Sequence, residues 1–181
     1  MQASKIVFLT LSLCLTVLAV VFVVAWLWIK RLRDRAIIAL REDTAGEKVY
    51  YVADCNFFGI LSSGLAQVRG NGLLALTSGG IRFRMLAPAK TLFIPLASIR
   101  GISHPRWFLK KSKARELLRV DFINAGGEED AAAWLVRDLL WWDRAITALR
   151  DGGTVPAPGH DHPRPTACTS AALGTSSAKA R

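Results

Sequence analysis

The residues from Ile6 to Ile29, IVFLTLSLCLTVLAVVFVVAWLWI, contain no Asp, Glu, Lys, Arg, Pro or Gly. A helix of that length reaches ~36 Å, enough to cross a hydrocarbon core of ~30 Å with some tilt. The run closes at Lys30-Arg31-Leu32-Arg33, and Trp26 and Trp28 stand just before those bases, where an interfacial aromatic belt belongs. Lys5 is the only charged side chain ahead of the run, whereas Lys30, Arg31, Arg33, Arg35 and Arg41 follow it. The positive-inside rule puts the heavier flank in the cytoplasm and the amino terminus outside. A cleaved secretory signal is the rival reading. It fits less well, because the stretch is too long for an h-region, the charge is on the wrong flank and no small-x-small cleavage site follows. Cys14 lies mid-run behind bulky Leu13, which argues against a lipoprotein-type cysteine. The expectation is a permanent single-pass anchor over residues 1–30 in the cell membrane, with the rest of the chain held at the cytoplasmic face.

Subtracting the anchor from 181 residues leaves room for one ordinary domain. The formal charge of +10 is spread along the chain, with five bases against three acids in 30–46 and fifteen against nine in 47–150. No block is basic enough to demand nucleic acid, and a membrane-facing surface with this bias favours anionic lipid. Cys14, Cys55 and Cys168 are too few and too scattered for a disulfide framework and fit a reducing compartment.

Residues 31–46, RLRDRAIIALREDTAG, keep helical composition and extend the membrane helix until Asp43, Thr44 and Gly46 end it. The preferred reading is a linker with solvated charges. The other is a helix laid against lipid headgroups through Ile37, Ile38 and Leu40.

From Glu47 the periodicity shortens. Val49–Val52 and Phe57–Leu61 are β-prone, with Leu65–Arg69 as a continuation, and Gly70-Asn71-Gly72 reads as a turn. Leu73–Thr77 and Ile81–Met85 then read as a hairpin over Ser78-Gly79-Gly80. Ile81, Phe83 and Met85 point to one face, and Arg82 and Arg84 point to solvent. Thr91–Ile94, Ile99–Ile102, Trp107–Leu109 and Leu118–Phe122 bring the expectation to about seven short antiparallel strands. Glu128, Glu129 and Asp130 read as the acidic first turn of a helix over Ala131–Arg150. Leu135, Leu139, Trp142, Ile146 and Leu149 share one face of it, and Gly152-Gly153 stops it. Residues 151–181, rich in Gly, Pro, Ala, Ser and Thr, read as a disordered tail.

Strands in this number followed by one amphipathic helix, with Gly72-Leu73-Leu74-Ala75-Leu76-Thr77, Ile81-Arg82-Phe83 and Ile94-Pro95-Leu96-Ala97-Ser98-Ile99, resemble the G-x-L-x-L-T…L-x-F…I-P-L-x-x-I pattern of GRAM and bacterial pleckstrin-homology-like (PH-like) domains. The resemblance covers residues 47–150. It implies an N-terminal transmembrane helix followed by a mainly-β, partly open barrel of two near-orthogonal sheets, capped by the C-terminal helix. It also implies a non-enzymatic role in binding lipids, peptides or proteins at membranes. Trp141-Trp142 is similar to the aromatic position that such helices pack into the barrel. No phosphoinositide-type motif accompanies it, since only Lys48 and Arg69 lie near the first loop.

The candidate recognition segment is Arg106-Trp107-Phe108-Leu109-Lys110-Lys111-Ser112-Lys113-Ala114-Arg115. Its five bases could rest on anionic headgroups while Trp107 or Phe108 dips in, or could simply solubilise a hairpin loop between the last two strands. The same aromatics could stack on nucleobases, but no nucleic-acid motif is present. Cys55, His104 and Asp121 supply catalytic residue types without a motif around them, so no catalytic residue is assigned. His160-Asp161-His162 with Cys168 is read as adventitious chelation at most, leaving no metal site and no cofactor. The expected function is that of an adaptor or scaffold for protein partners. The alternative is an anionic-lipid-sensing module acting through Arg106, Trp107, Lys110, Lys111, Lys113 and Arg115.

Overall fold

A single helix, α1 (Gln2–Asp43), opens the computed structural model, which describes residues 2–112 and 114–157. From Leu11 to Ile29 its apolar side chains are exposed, and an 18-residue window of mean hydropathy 2.6 makes it long and apolar enough to cross a membrane or to serve as a signal sequence. The Lys30 ammonium sits 5.6 Å from the Trp26 ring centroid, one turn back along the same face. The helix stops where the Thr44 hydroxyl donates to the Leu40 carbonyl at 2.9 Å and Gly46 takes φ +87°, a conformation open to glycine without strain.

Beyond it lies one seven-stranded antiparallel sheet. Its strands are β1 (Val49–Ile60), β2 (Gly70–Thr77), β3 (Gly80–Met85), β4 (Thr91–Pro95), β5 (Ile99–Ser103), β8 (Leu118–Ile123) and β9 (Glu129–Leu135), in the order β4-β3-β2-β1-β9-β8-β5. A two-residue hairpin of β6 (Trp107–Phe108) and β7 (Lys111–Ser112) stands apart from it. A short 3-10 turn, Leu96–Ser98, links the two edge strands, and α2 (Leu139–Arg150) follows β9. The inner face buries Phe57, Leu74, Phe83, Ile94, Val120 and Trp134 in one cluster, closed by Trp141, Trp142, Ala145 and Ile146 of α2. Phe57 stacks on Phe83 with centroids 4.7 Å apart, and Trp134 lies 6.0 Å from each.

Several sequence expectations are corrected here. The two β-prone runs 49–52 and 57–61 form one strand, because β1 bends at Gly59 (φ +134°) rather than breaking there. Residues 65–69 carry no strand. Gly70-Asn71-Gly72 is extended and begins β2. Gly72 lies between Cys55 and Met85 in the ladder, and a Cβ there would approach the Arg84 carbonyl oxygen to 2.5 Å, so the glycine serves close packing and not a turn. The alanines of 131–133 are fully sheet-bound between β1 and β8, where burial overrides their helix propensity. The closing helix therefore starts at Leu139, with the Asp138 side chain accepting from the Trp141 amide at 3.1 Å. Residues 151–157 are tied down as well: the Trp141 indole donates to the Pro156 carbonyl at 3.1 Å, and Val155 packs on the core. The rest of the expected tail lies outside the described residues.

The segment 31–46 is no solvated linker. Ala36 and Leu40 are buried against Leu73 and Ala75 on the outer face of the sheet, with Ile37, Val52 and Leu86 around them. Ion pairs flank that contact. Arg33 meets Asp54 of β1 at 2.7 Å, Arg84 of β3 meets Asp43 at 3.0 Å, and Arg82 meets Glu47 at 2.5 Å. The stem of α1 thus crosses β1, β2 and β3. Arg82 and Arg84, expected in solvent, are half-buried partners of this junction, and Arg82 also covers the Phe93 ring at 4.1 Å.

Glu47 titrates as this geometry requires. Its hydrogen bond from Arg82, helped by one from Thr77, holds its carboxyl below the usual value, against a smaller opposing effect of burial. A lowered folded-state value gives stability that is fully present above the unfolded carboxyl value and lost as pH falls through the folded one. Glu47→Gln is therefore expected to flatten the decline of domain stability between about pH 5 and 3, read from urea midpoints across that range. An acid limb as steep as the parent's would show that Glu47 contributes nothing to it.

Candidate functional site

Segment 106–115 becomes a tight hairpin because Leu109 and Lys110 both take left-handed backbone (φ 49° and 57°), the geometry of a two-residue turn whose twist matches its strands. Its two aromatics part company. Phe108 is 5% exposed, buried with Phe58, Leu117, Ala131 and Ala133 in a second cluster on the outer face of the sheet, so it cannot dip into a bilayer. Trp107 is 68% exposed. Arg119 stands 5.9 Å from the Phe108 centroid, and Arg69 lies 4.1 Å from that of Phe58, which gives these bases an apolar packing role.

The bases divide in the same way. The Lys111 ammonium donates to the Gln67 carbonyl at 2.7 Å and so fastens the hairpin to the 61–69 loop. Gln67 is itself pinned, its side chain accepting from the Ile60 amide at 2.8 Å and donating to the Ile60 carbonyl. Arg106 sits 3.7 Å from Glu116, an exposed pair, while Lys110 and Arg115 face solvent. Lys113 lies outside the described residues. Asp130, buried at the start of β9, accepts from the Ser62 amide and hydroxyl at 2.9 and 2.5 Å and anchors the other end of the same loop. Leu65 and Val68 on the loop are exposed beside the hairpin. The hairpin joins β5 to β8, and because residues 129–135 form β9 these are not the last two strands along the chain, contrary to expectation.

Of the bases after the apolar run, Arg31 and Arg35 are exposed, Lys30 rests against Trp26 and Arg33 is engaged by Asp54. The catalytic residue types are not brought together. Cys55 is buried on β1, and desolvation, with the Asp54 charge adding to it, pushes its thiol well above the ordinary range. His104 follows β5, three strands away, its Nε2 3.6 Å from Asp143 of α2, and Asp121 is held by Arg119 at 2.7 Å. Among the described residues no group of three or more His, Cys, Asp or Glu could hold a metal ion, and His160, Asp161, His162 and Cys168 lie outside them.

No family model and no curated protein matches the chain. Among solved structures it is similar to the C-terminal domain of an unknown protein from Leishmania infantum, at 15% identity and a TM-score of 0.43, over 60% of this chain and 91% of that domain.

Proposed function

We propose that this is a non-enzymatic single-pass membrane protein that holds a PH-like domain at the cytoplasmic face as an adaptor for a protein partner. The strand order, the single sheet curled round one core and the closing helix support the PH-like assignment. The observation that carries the reading is the docked stem of α1, since a helix that runs unbroken from an apolar segment onto the sheet gives the domain a fixed stance at a surface. A partner then meets a preoriented face and loses less freedom on binding. The hairpin and loop surface with Trp107, Leu65 and Val68 is the exposed apolar ground for it.

A photo-crosslinking residue at position 107 of the full chain in its native membrane tests this. A discrete protein adduct, absent when the probe is moved to exposed Arg150, is expected. Adducts with lipid alone would sink the adaptor reading in favour of the second one, an anionic-lipid-binding module, which the exposed Arg106, Lys110 and Arg115 favour.

A further inference from the structure

Between the base of the hairpin and the start of α2 lies a cavity of about 290 Å³, lined by Arg106, Arg115 and Arg137 with Glu116, over Val136 and Leu139. Arg137 was not a candidate from the sequence, because it lies far along the chain from 106–115. Pairing of Leu118 with Trp134 brings the two segments together. Three arginines and one glutamate line it beside Val136 and Leu139, with Arg106 3.7 Å from Glu116, in a volume close to the lower end of ligand-sized sites. Planar guanidinium forks at that density match the oxygens of a phosphate.

The cavity also has a location. Arg33, one turn beyond Ile29, holds Asp54 at 2.7 Å, and Asp54 and Arg137 together line a smaller neighbouring cavity of about 60 Å³. Arg137 therefore lines both cavities, and the smaller one is linked to α1 through the Asp54–Arg33 pair. We infer that the Arg106–Arg115–Arg137 cavity binds the phosphate of an anionic lipid headgroup from the leaflet beside α1. The inference rests on the reading that α1 spans the bilayer with the domain on the side of Lys30–Arg35, and it is separate from the choice of protein partner. Glu116 is a built-in competitor, since it pairs with Arg106 when no phosphate is present and repels one that enters.

The test uses the full chain extracted from phosphatidylcholine membranes doped with phosphatidic acid, with retained lipid counted by native mass spectrometry. One phosphatidic acid per chain is expected at saturation. Arg137→Gln raises the half-saturating lipid fraction about tenfold, the loss expected for one charge-assisted contact. Glu116→Gln lowers it about threefold, as removal of an exposed competing charge permits. Arg150→Gln, the same charge change at the far end of α2, leaves it unchanged. Equal weakening by Arg137→Gln and Arg150→Gln would overturn the site in favour of diffuse attraction. Displacement of the lipid by inorganic phosphate at comparable concentration would overturn the lipid source and leave a free-anion site. Carbonate extraction and circular dichroism accompany each variant. A folded, membrane-retained chain that holds no lipid defeats this inference alone, whereas release by carbonate defeats the membrane reading beneath it.

Discussion

Leu40→Asp is expected to release residues 33–46 from the sheet while the β domain stays folded. Leu40 is 5% exposed and sits at the centre of the contact with Leu73 and Ala75. Removing a buried leucine side chain costs about 2–5 kcal/mol, and an unpaired carboxylate at that position adds a desolvation cost. The ion pairs around the contact are weaker. The Arg33 and Asp54 side chains are more than half exposed, so that pair contributes at most about 1 kcal/mol, and Asp43 of the Arg84 pair is also exposed. Apolar burial therefore dominates, and Asp54→Ala should leave the stem docked. Hydrogen exchange of the 36–46 amides and tryptic cutting after Arg35 and Arg41 report the difference. Protection as strong in Leu40→Asp as in the parent would show that the stem is held by something other than this cluster.

The second large effect belongs to α2. Trp142 is 1% exposed, with Tyr51 and Trp141 rings 5.7 and 5.5 Å away. Truncation to alanine is expected to cost about 3–5 kcal/mol, a large share of the ~5–15 kcal/mol that holds a domain together. The urea midpoint of the full chain in neutral micelles should fall accordingly, with the slope unchanged. Trp107→Ala, on exposed ground, should move it by no more than about 0.5 kcal/mol. Comparable losses from both substitutions would contradict the burial assigned to these two residues.

The parts of this architecture written in one-dimensional pattern could be read directly. The charge-free run of α1, the alternation of Ile81-Arg82-Phe83-Arg84-Met85 and the Trp142–Ile146–Leu149 face each repeat with the period of their own element. The misreadings arose where tertiary context decides. Ala131–Ala133 have a local preference for helix, yet only small side chains fit where β9 is covered on both faces, by the Trp134 cluster and by the Phe58–Phe108 cluster. Gly70 and Gly72 look like a turn because glycine usually means one, whereas here they make room for the Met85 and Phe83 side chains. Ala36 and Leu40 sit on one helical face, a spacing that a free amphipathic helix shares, so nothing local distinguished docking on Leu73 from lying on lipid. The same holds for the candidate sites. The basic run 106–115 was visible, but the burial of Phe108, the anchoring of Lys111 and the arrival of Arg137 depend on which strands become neighbours.

In α1 the helical ladder continues from the apolar segment into the stem without a loop, so the two share one rotational phase. If α1 spans the bilayer as proposed, the bearing of the domain around the membrane normal is set by a residue count. One extra alanine after Ile29 turns everything beyond it by about 100° and moves it outward by about 1.5 Å. Seven extra residues come within about 20° of the original bearing but stand about 10 Å farther from the bilayer. Azimuth and height are thus two separate variables, and a graded series of insertions varies them independently.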